Sequence, residues 1–161
     1  MAQRESDRED LMREATALVE RAELKLPGAT EPVVVGFRRD GSASFFFGAD
    51  PVYQFNSAGE LRRAYVGGLL YKAVKGRLVA MRRERAATET VLVSRELPDG
   101  ETETFLAAMS QRLAGVQDAL SRGEYEVTGQ VPACGDVVER IREWLHARGP
   151  AIPIAGTPNV R

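Results

Sequence analysis

Val33-Val34-Val35-Gly36-Phe37, Ala43-Ser44-Phe45-Phe46-Phe47 and Val52-Tyr53-Gln54-Phe55-Asn56 follow one another with only short breaks between them. Each is a run of strand length, rich in β-branched and aromatic residues. The first break, Arg39-Asp40-Gly41-Ser42, holds the Asp-Gly pair of a hairpin turn, and the second, Gly48-Ala49-Asp50-Pro51, is a turn as well. Three consecutive phenylalanines put aromatic rings on both faces of a sheet, because successive side chains point to opposite sides. At least one ring must therefore meet a helix, another sheet layer or a partner; cover by a flanking helix is the ordinary arrangement.

The pattern continues downstream. Asn56-Ser57-Ala58-Gly59 turns the chain, and Leu61, Arg63 and Tyr65 then alternate with Arg62, Ala64 and Val66. Gly67-Gly68 is a two-residue connection into 69–75, Gly76 separates that strand from 78–83, and 90–96 is the last. Connections this short make sequential strands antiparallel neighbours, so 33–97 reads as a meander of about seven strands. Leu69 and Tyr71 face one way, Leu70 and Val74 the other, which a sheet with one wet face would not show. The sheet is expected to be strongly bent, a half-barrel with a helix outside, or to have helices over parts of both sides.

The flanks read as helices. Over 7–26, Leu11, Ala15, Leu18 and Ala22 recur at helical spacing, widened by Met12, Val19 and Leu26; Ser6 with Glu9 fits a capping box, and Pro27-Gly28 ends the run. Over 101–122, with Asp99 as N-cap, Phe105, Met109, Leu113, Val116 and Leu120 form a regular stripe closed by Gly123. The stretch 124–132 is extended and polar, with strand character through Tyr125 and Val127. Asp136 with Glu139 opens a helix over 136–148 whose apolar side is Val137, Ile141, Trp144 and Leu145, stopped by Gly149-Pro150. The expected class is α+β: one domain over 1–150, with an N-terminal helix, the meander and two C-terminal helices, followed by a loosely attached tail over 151–161.

Strands 33–97 followed by the helix over 101–122 resemble the pleckstrin-homology-like arrangement in element order. The resemblance implies a bent sheet closed at one end by the helix. It also implies basic residues at the first hairpin for phosphorylated ligands, and Arg38-Arg39 stands at the corresponding turn. The helices over 7–26 and 136–148 lie outside that pattern, and fold-level likeness carries little about function.

Composition is that of an ordinary globular chain: 161 residues, 43% hydrophobic and 28% charged. The start has no apolar signal region, no run approaches a membrane span, and the single cysteine, Cys134, has no partner for an internal disulfide; together these point to a reducing, cytoplasmic location. Catalytic motifs are absent from the pattern. His146, the one histidine, sits near a helix end where its charge suits the dipole, and Cys134 has no resolving cysteine or adjacent base. Metal-ligand spacings, GxGxxG and P-loop fingerprints are missing, so neither a metal nor a cofactor is implied.

Charge is the one uneven feature. The net charge is −1, yet 32–96 carries 11 basic and 6 acidic side chains, while both flanks are net acidic. From 62 to 85 lie Arg62, Arg63, Lys72, Lys75, Arg77, Arg82, Arg83 and Arg85, opposed only by Glu84. Arg38 and Arg39 can join them, and Tyr53, Phe55, Tyr65 and Tyr71 lie nearby. Pairing with the acidic flanks is the plain structural explanation. Mutual repulsion of so many cations on neighbouring strands argues for a use.

Three functions fit. One is a non-enzymatic binding module whose basic sheet engages an anionic partner. With exposed aromatics that partner is single-stranded nucleic acid; without them it is a phosphorylated ligand or an acidic protein. The second is an enzyme with a pocket inside the curled sheet, lined by Tyr53, Phe55 and Tyr71. The third is an assembly protein whose aromatic sheet face is a subunit interface, a homo-oligomer.

Overall fold

The computed structural model of the chain describes residues 18–149 and 151–156. Nine antiparallel strands form one open sheet: β1 (Glu20–Lys25), β2 (Val33–Phe37), β3 (Ala43–Phe47), β4 (Val52–Phe55), β5 (Leu61–Val66), β6 (Leu69–Val74), β7 (Arg77–Ala86), β8 (Glu89–Glu96) and β9 (Glu126–Val131). Two helices, α1 (Asp99–Arg122) and α2 (Val137–Arg148), follow β8 and β9. The seven strands expected within 33–97 are β2 to β8, in sequence order across the sheet. The sheet is larger than expected and does not close into a barrel.

The first correction concerns the N-terminal flank. Residues 20–25, expected to end a helix, form β1, paired with β2 from Glu20 opposite Phe37 to Leu24 opposite Val33. Arg21-Ala22-Glu23-Leu24-Lys25-Leu26 alternates strictly between charged and apolar, and the strand buries Ala22 and Leu24 on one side. Residues 7–17 of the expected helix, with the Ser6/Glu9 capping box, lie outside the described residues.

The stretch 124–132, whose pairing the sequence left open, sets the order of the sheet. β9 does not extend the meander beyond β8; it pairs with β1 at the opposite edge, giving β8-β7-β6-β5-β4-β3-β2-β1-β9. Element dimensions explain how the chain gets there. Eight inter-strand steps span about 38 Å, and a 24-residue helix spans about 36 Å, so α1 is long enough to carry the chain from one edge to the other. Its contacts trace that crossing: Phe105 meets Tyr71 of β6 and Tyr53 of β4, and Arg112 lies over Phe47 of β3.

The helical stripe is seated as its spacing requires. Met109, Leu113, Val116 and Leu120 of α1 are buried, as are Val137, Val138, Ile141 and Leu145 of α2. They close over the inner face of the sheet, where Val35, Phe37, Phe45, Tyr53, Phe55 and Leu61 form the main core. Trp144 of α2 sits tilted against Phe45 and Phe55, with centroids 5.3 and 4.9 Å away. Pro98 takes the N-cap place of α1 without a side-chain bond, and Asp99, expected there, stands in the first turn. Asp136 does cap α2, accepting from the Glu139 N–H at 3.0 Å.

The stretch 151–156, expected to hang loosely, is docked on the sheet. Ile152 and Ile154 are buried, the Leu61 N–H donates to the Pro153 carbonyl, and the Ala155 N–H donates to Leu61 in return. Residues 150 and 157–161 lie outside the described residues.

Candidate anion-binding surface

Strand register sorts the basic residues onto faces. On the outer face, away from the helices, one row runs Arg21, Gly36, Ser44, Gln54, Arg63, Lys72, Val79 and Glu96 from β1 to β8. The neighbouring row runs Val34, Phe46, Val52, Tyr65, Leu70, Met81 and Ser94 from β2 to β8. By the same alternation Arg77, Arg83 and Arg85 of β7 share the outer face, and Arg82 takes the inner one.

The ten cations singled out from the sequence therefore do not form one patch. Arg38 and Arg62 flank the β2–β3 turn, both close enough to Asp40 to act on its charge. The Ser42 hydroxyl and N–H donate to that carboxylate at 2.6 and 2.9 Å and hold it below the usual carboxylate range. Arg39 is exposed at the tip of the same turn, and Lys75 is exposed in the β6–β7 turn with φ 52°. Arg63 is half-buried, its Nε donating to the Gln54 side-chain oxygen at 2.9 Å. Arg82 pairs with Glu84, and Arg77 with Glu96 at 3.3 Å.

Lys72, Arg83 and Arg85 remain on the outer face of β6 and β7, exposed and with no ion pair among the described residues. Register brings three kinds of neighbour to them. Lys72 is opposite Arg63, a like-charge pair that costs stability. Arg83 is opposite Leu92, which is 59% exposed, and Val74, next but one to Lys72 in β6, is 48% exposed. Leu70, Val79 and Met81 are half-buried between them. Charge alone pointed to the cations. The exposed Leu92 and Val74 were written in the two-residue alternation, but nothing in it says which face is covered.

The aromatic residues expected to stack on bases are not available on this surface. Tyr53, Phe55 and Tyr65 are buried, and Tyr71 faces inward against Phe105 at 4.8 Å. Burial raises the hydroxyl pKa of both Tyr53 and Tyr71 above its ordinary value. The same packing fills the volume inside the curled sheet where a pocket lined by Tyr53, Phe55 and Tyr71 was expected, because Phe105 and Trp144 occupy it.

Hollows do occur at the surface. One of about 560 Å³ lies between α1 and α2, lined by Ser110, Leu113, Gln117, His146 and Ile152; one of about 420 Å³ lies beside α1, at Leu26, Phe47, Arg112 and Arg122. Arg112, Arg140 and Arg148 were not singled out from the sequence. They lie over Phe47, Phe37 and Trp144, with the guanidinium of Arg140 4.2 Å from its ring centre. They therefore act as packing cations for the core.

Among the described residues no group of three or more His, Cys, Asp and Glu side chains is placed to hold a metal ion, and no helix is long and apolar enough to cross a membrane. No protein-family model matches the chain, and neither a curated protein nor a solved structure matches it.

Proposed function

We propose that the protein is a non-enzymatic binding module that holds an acidic, partly apolar protein segment on the outer face of β6, β7 and β8. The observation that carries this reading is the spacing of Lys72, Arg83 and Arg85, exposed and without ion partners among the described residues, between Leu70, Val74, Met81 and Leu92. Cations interleaved with aliphatic side chains suit a partner that presents carboxylates and apolar groups in turn, with charge setting orientation and approach. Single-stranded nucleic acid would want exposed rings on the same face, and the candidate tyrosines point elsewhere or are buried.

Fluorescence anisotropy at low salt tests the reading. The probes are a labelled peptide of alternating glutamate and leucine, a labelled single-stranded oligonucleotide, and vesicles containing phosphatidylserine. The peptide is expected to bind, more weakly as salt rises. The triple variant Lys72→Glu, Arg83→Glu, Arg85→Glu should weaken it about tenfold or more, since it places three carboxylates where the charge contacts were. A peptide that does not bind, or binds the triple variant equally, overturns the proposal. Preference for the oligonucleotide or the vesicles replaces the acidic protein with that partner.

A further inference from the structure

Among the described residues β8 is an open edge of the sheet, and its middle carries nothing that blunts it. Its eight residues, Glu89-Thr90-Val91-Leu92-Val93-Ser94-Arg95-Glu96, contain no proline, and the run from Thr90 to Ser94 carries no charge, the charges standing at the two ends. Leu92 is 59% and Val91 39% exposed. Natural edge strands are usually short, bulged, proline-bearing or charged at the centre, because an open row of N–H and C=O groups templates another strand. The opposite edge follows that rule. β9 slips register against β1 between Glu23 and Leu24, contains Gly129 and runs into Pro132, and Gln130 turns its amide onto the carbonyls of Pro132 and Gly135.

The β8 sequence is also complementary to itself. In antiparallel pairing about a two-fold axis normal to the sheet, side chains opposite one another lie on the same face, so the axis must pass through a residue pair. With the axis at Leu92, Leu92 meets its own copy, Val91 meets Val93, Thr90 meets Ser94, and Glu89 meets Arg95. Moving the axis to Val91 places Glu89 opposite Val93 and Leu92 opposite Thr90. Moving it to Val93 places Val91 opposite Arg95 and Thr90 opposite Glu96. Only the Leu92 register of these three pairs apolar with apolar and acid with base. Arg95 already holds Glu101 at 2.9 Å, and its planar five-donor guanidinium can take a second carboxylate.

We infer that the occupant of this edge is a second copy of the chain, joined β8 to β8 and centred on Leu92. The sheets of the two copies then run on as one, and the outer-face cations of both lie on a common surface. This pairing does not depend on the proposed binding function, because it is read from the mass of the protein alone, without a probe.

Sedimentation velocity over a concentration series tests it. The wild-type chain is expected to dimerise, and Leu92→Lys, which puts two ammonium groups on the axis, should weaken the dimer about tenfold or more. Leu92 is exposed, so this change leaves the core alone. Cross-linking fixes the register. In a Cys134→Ser background, Leu92→Cys should oxidise to a covalent dimer, because residues directly opposite in an antiparallel pair have Cα atoms about 4.5–5.5 Å apart, within disulfide reach. Ser94→Cys, opposite Thr90, should not. A strict monomer, a dimer indifferent to Leu92→Lys, or Ser94→Cys linking as readily as Leu92→Cys would each overturn the inference.

Discussion

Across β3, β4 and β5 the outer face buries Phe46, Val52 and Tyr65 in one row and Ser44 and Gln54 in the next. The same rows continue into β6, β7 and β8 as Leu70, Met81 and Ser94, and as Lys72, Val79 and Glu96, all half-buried or exposed. The alternation is the same at both ends, so it does not decide burial. A second apolar cluster does: Leu18 packs with Phe46, Val52 and Tyr65, and Val34 lies against them. The comparison separates side chains that hold the fold from side chains that are spare, and each can be tested by what it costs to remove.

The largest effect is expected at the covered end. Phe46 is 3% exposed, and Phe46→Ala should cost about 3–5 kcal/mol in chemical denaturation. Val74→Ala, on the same face of β6 and 48% exposed, should stay within about 0.5 kcal/mol. Equal costs would abolish the distinction between the two ends.

Gly36 sharpens the same contrast through the backbone. A Cβ there would lie 2.5 Å from Leu18 Cδ1 and 2.6 Å from the Glu20 carbonyl oxygen. The oxygen belongs to β1 and cannot swing aside as a side-chain tip does, so Gly36→Ala should destabilise by about 1–3 kcal/mol. A neutral result would mean that β1 and β2 are not held this closely.

Tyr53 gives a pH test on the inner face. Burial raises its folded pKa above the ordinary value of 10.0, so its neutral form stabilises the fold below that pH. The contribution is lost as pH rises from the unfolded pKa through the folded one. Stability should fall above pH 10 in the wild type, and Tyr53→Phe should remove part of that slope; an unchanged alkaline limb would show that the hydroxyl is not responsible.

These tests also mark where sequence reasoning ran out. The strands from β2 to β8 were legible because each carries β-branched or aromatic residues between turn residues such as Asp40-Gly41 and Gly67-Gly68. α1 was legible from the stripe Met109, Leu113, Val116 and Leu120. β1 was not, since Leu18 and Ala22 fit a helical period as well as Ala22 and Leu24 fit a strand period. Choosing between them needs the pairing with Phe37 and Val33, and also with Val131 of β9, about a hundred residues away in the chain. Of the candidate surface, the cations were legible as charge. Their division was not: it depends on the shift in register between Gln54 and Phe55, which brings Arg63 rather than Arg62 opposite Gln54.

The smallest stability effect is expected at Lys72, and it bears on function most directly. Lys72 lies opposite Arg63 on the outer face, exposed and without an ion pair among the described residues. A residue retained for folding should cost stability when removed. A cation kept for a partner should instead relieve repulsion when removed, so Lys72→Thr should leave stability unchanged or raise it by about 0.2–1 kcal/mol. Binding of the acidic peptide should weaken in the same variant. Threonine suits a strand, so propensity does not confound the comparison. If Lys72→Thr instead destabilised the fold by more than about 1 kcal/mol, beyond what an exposed substitution ordinarily costs, the exposed end would be structural and the binding reading would lose its central cation.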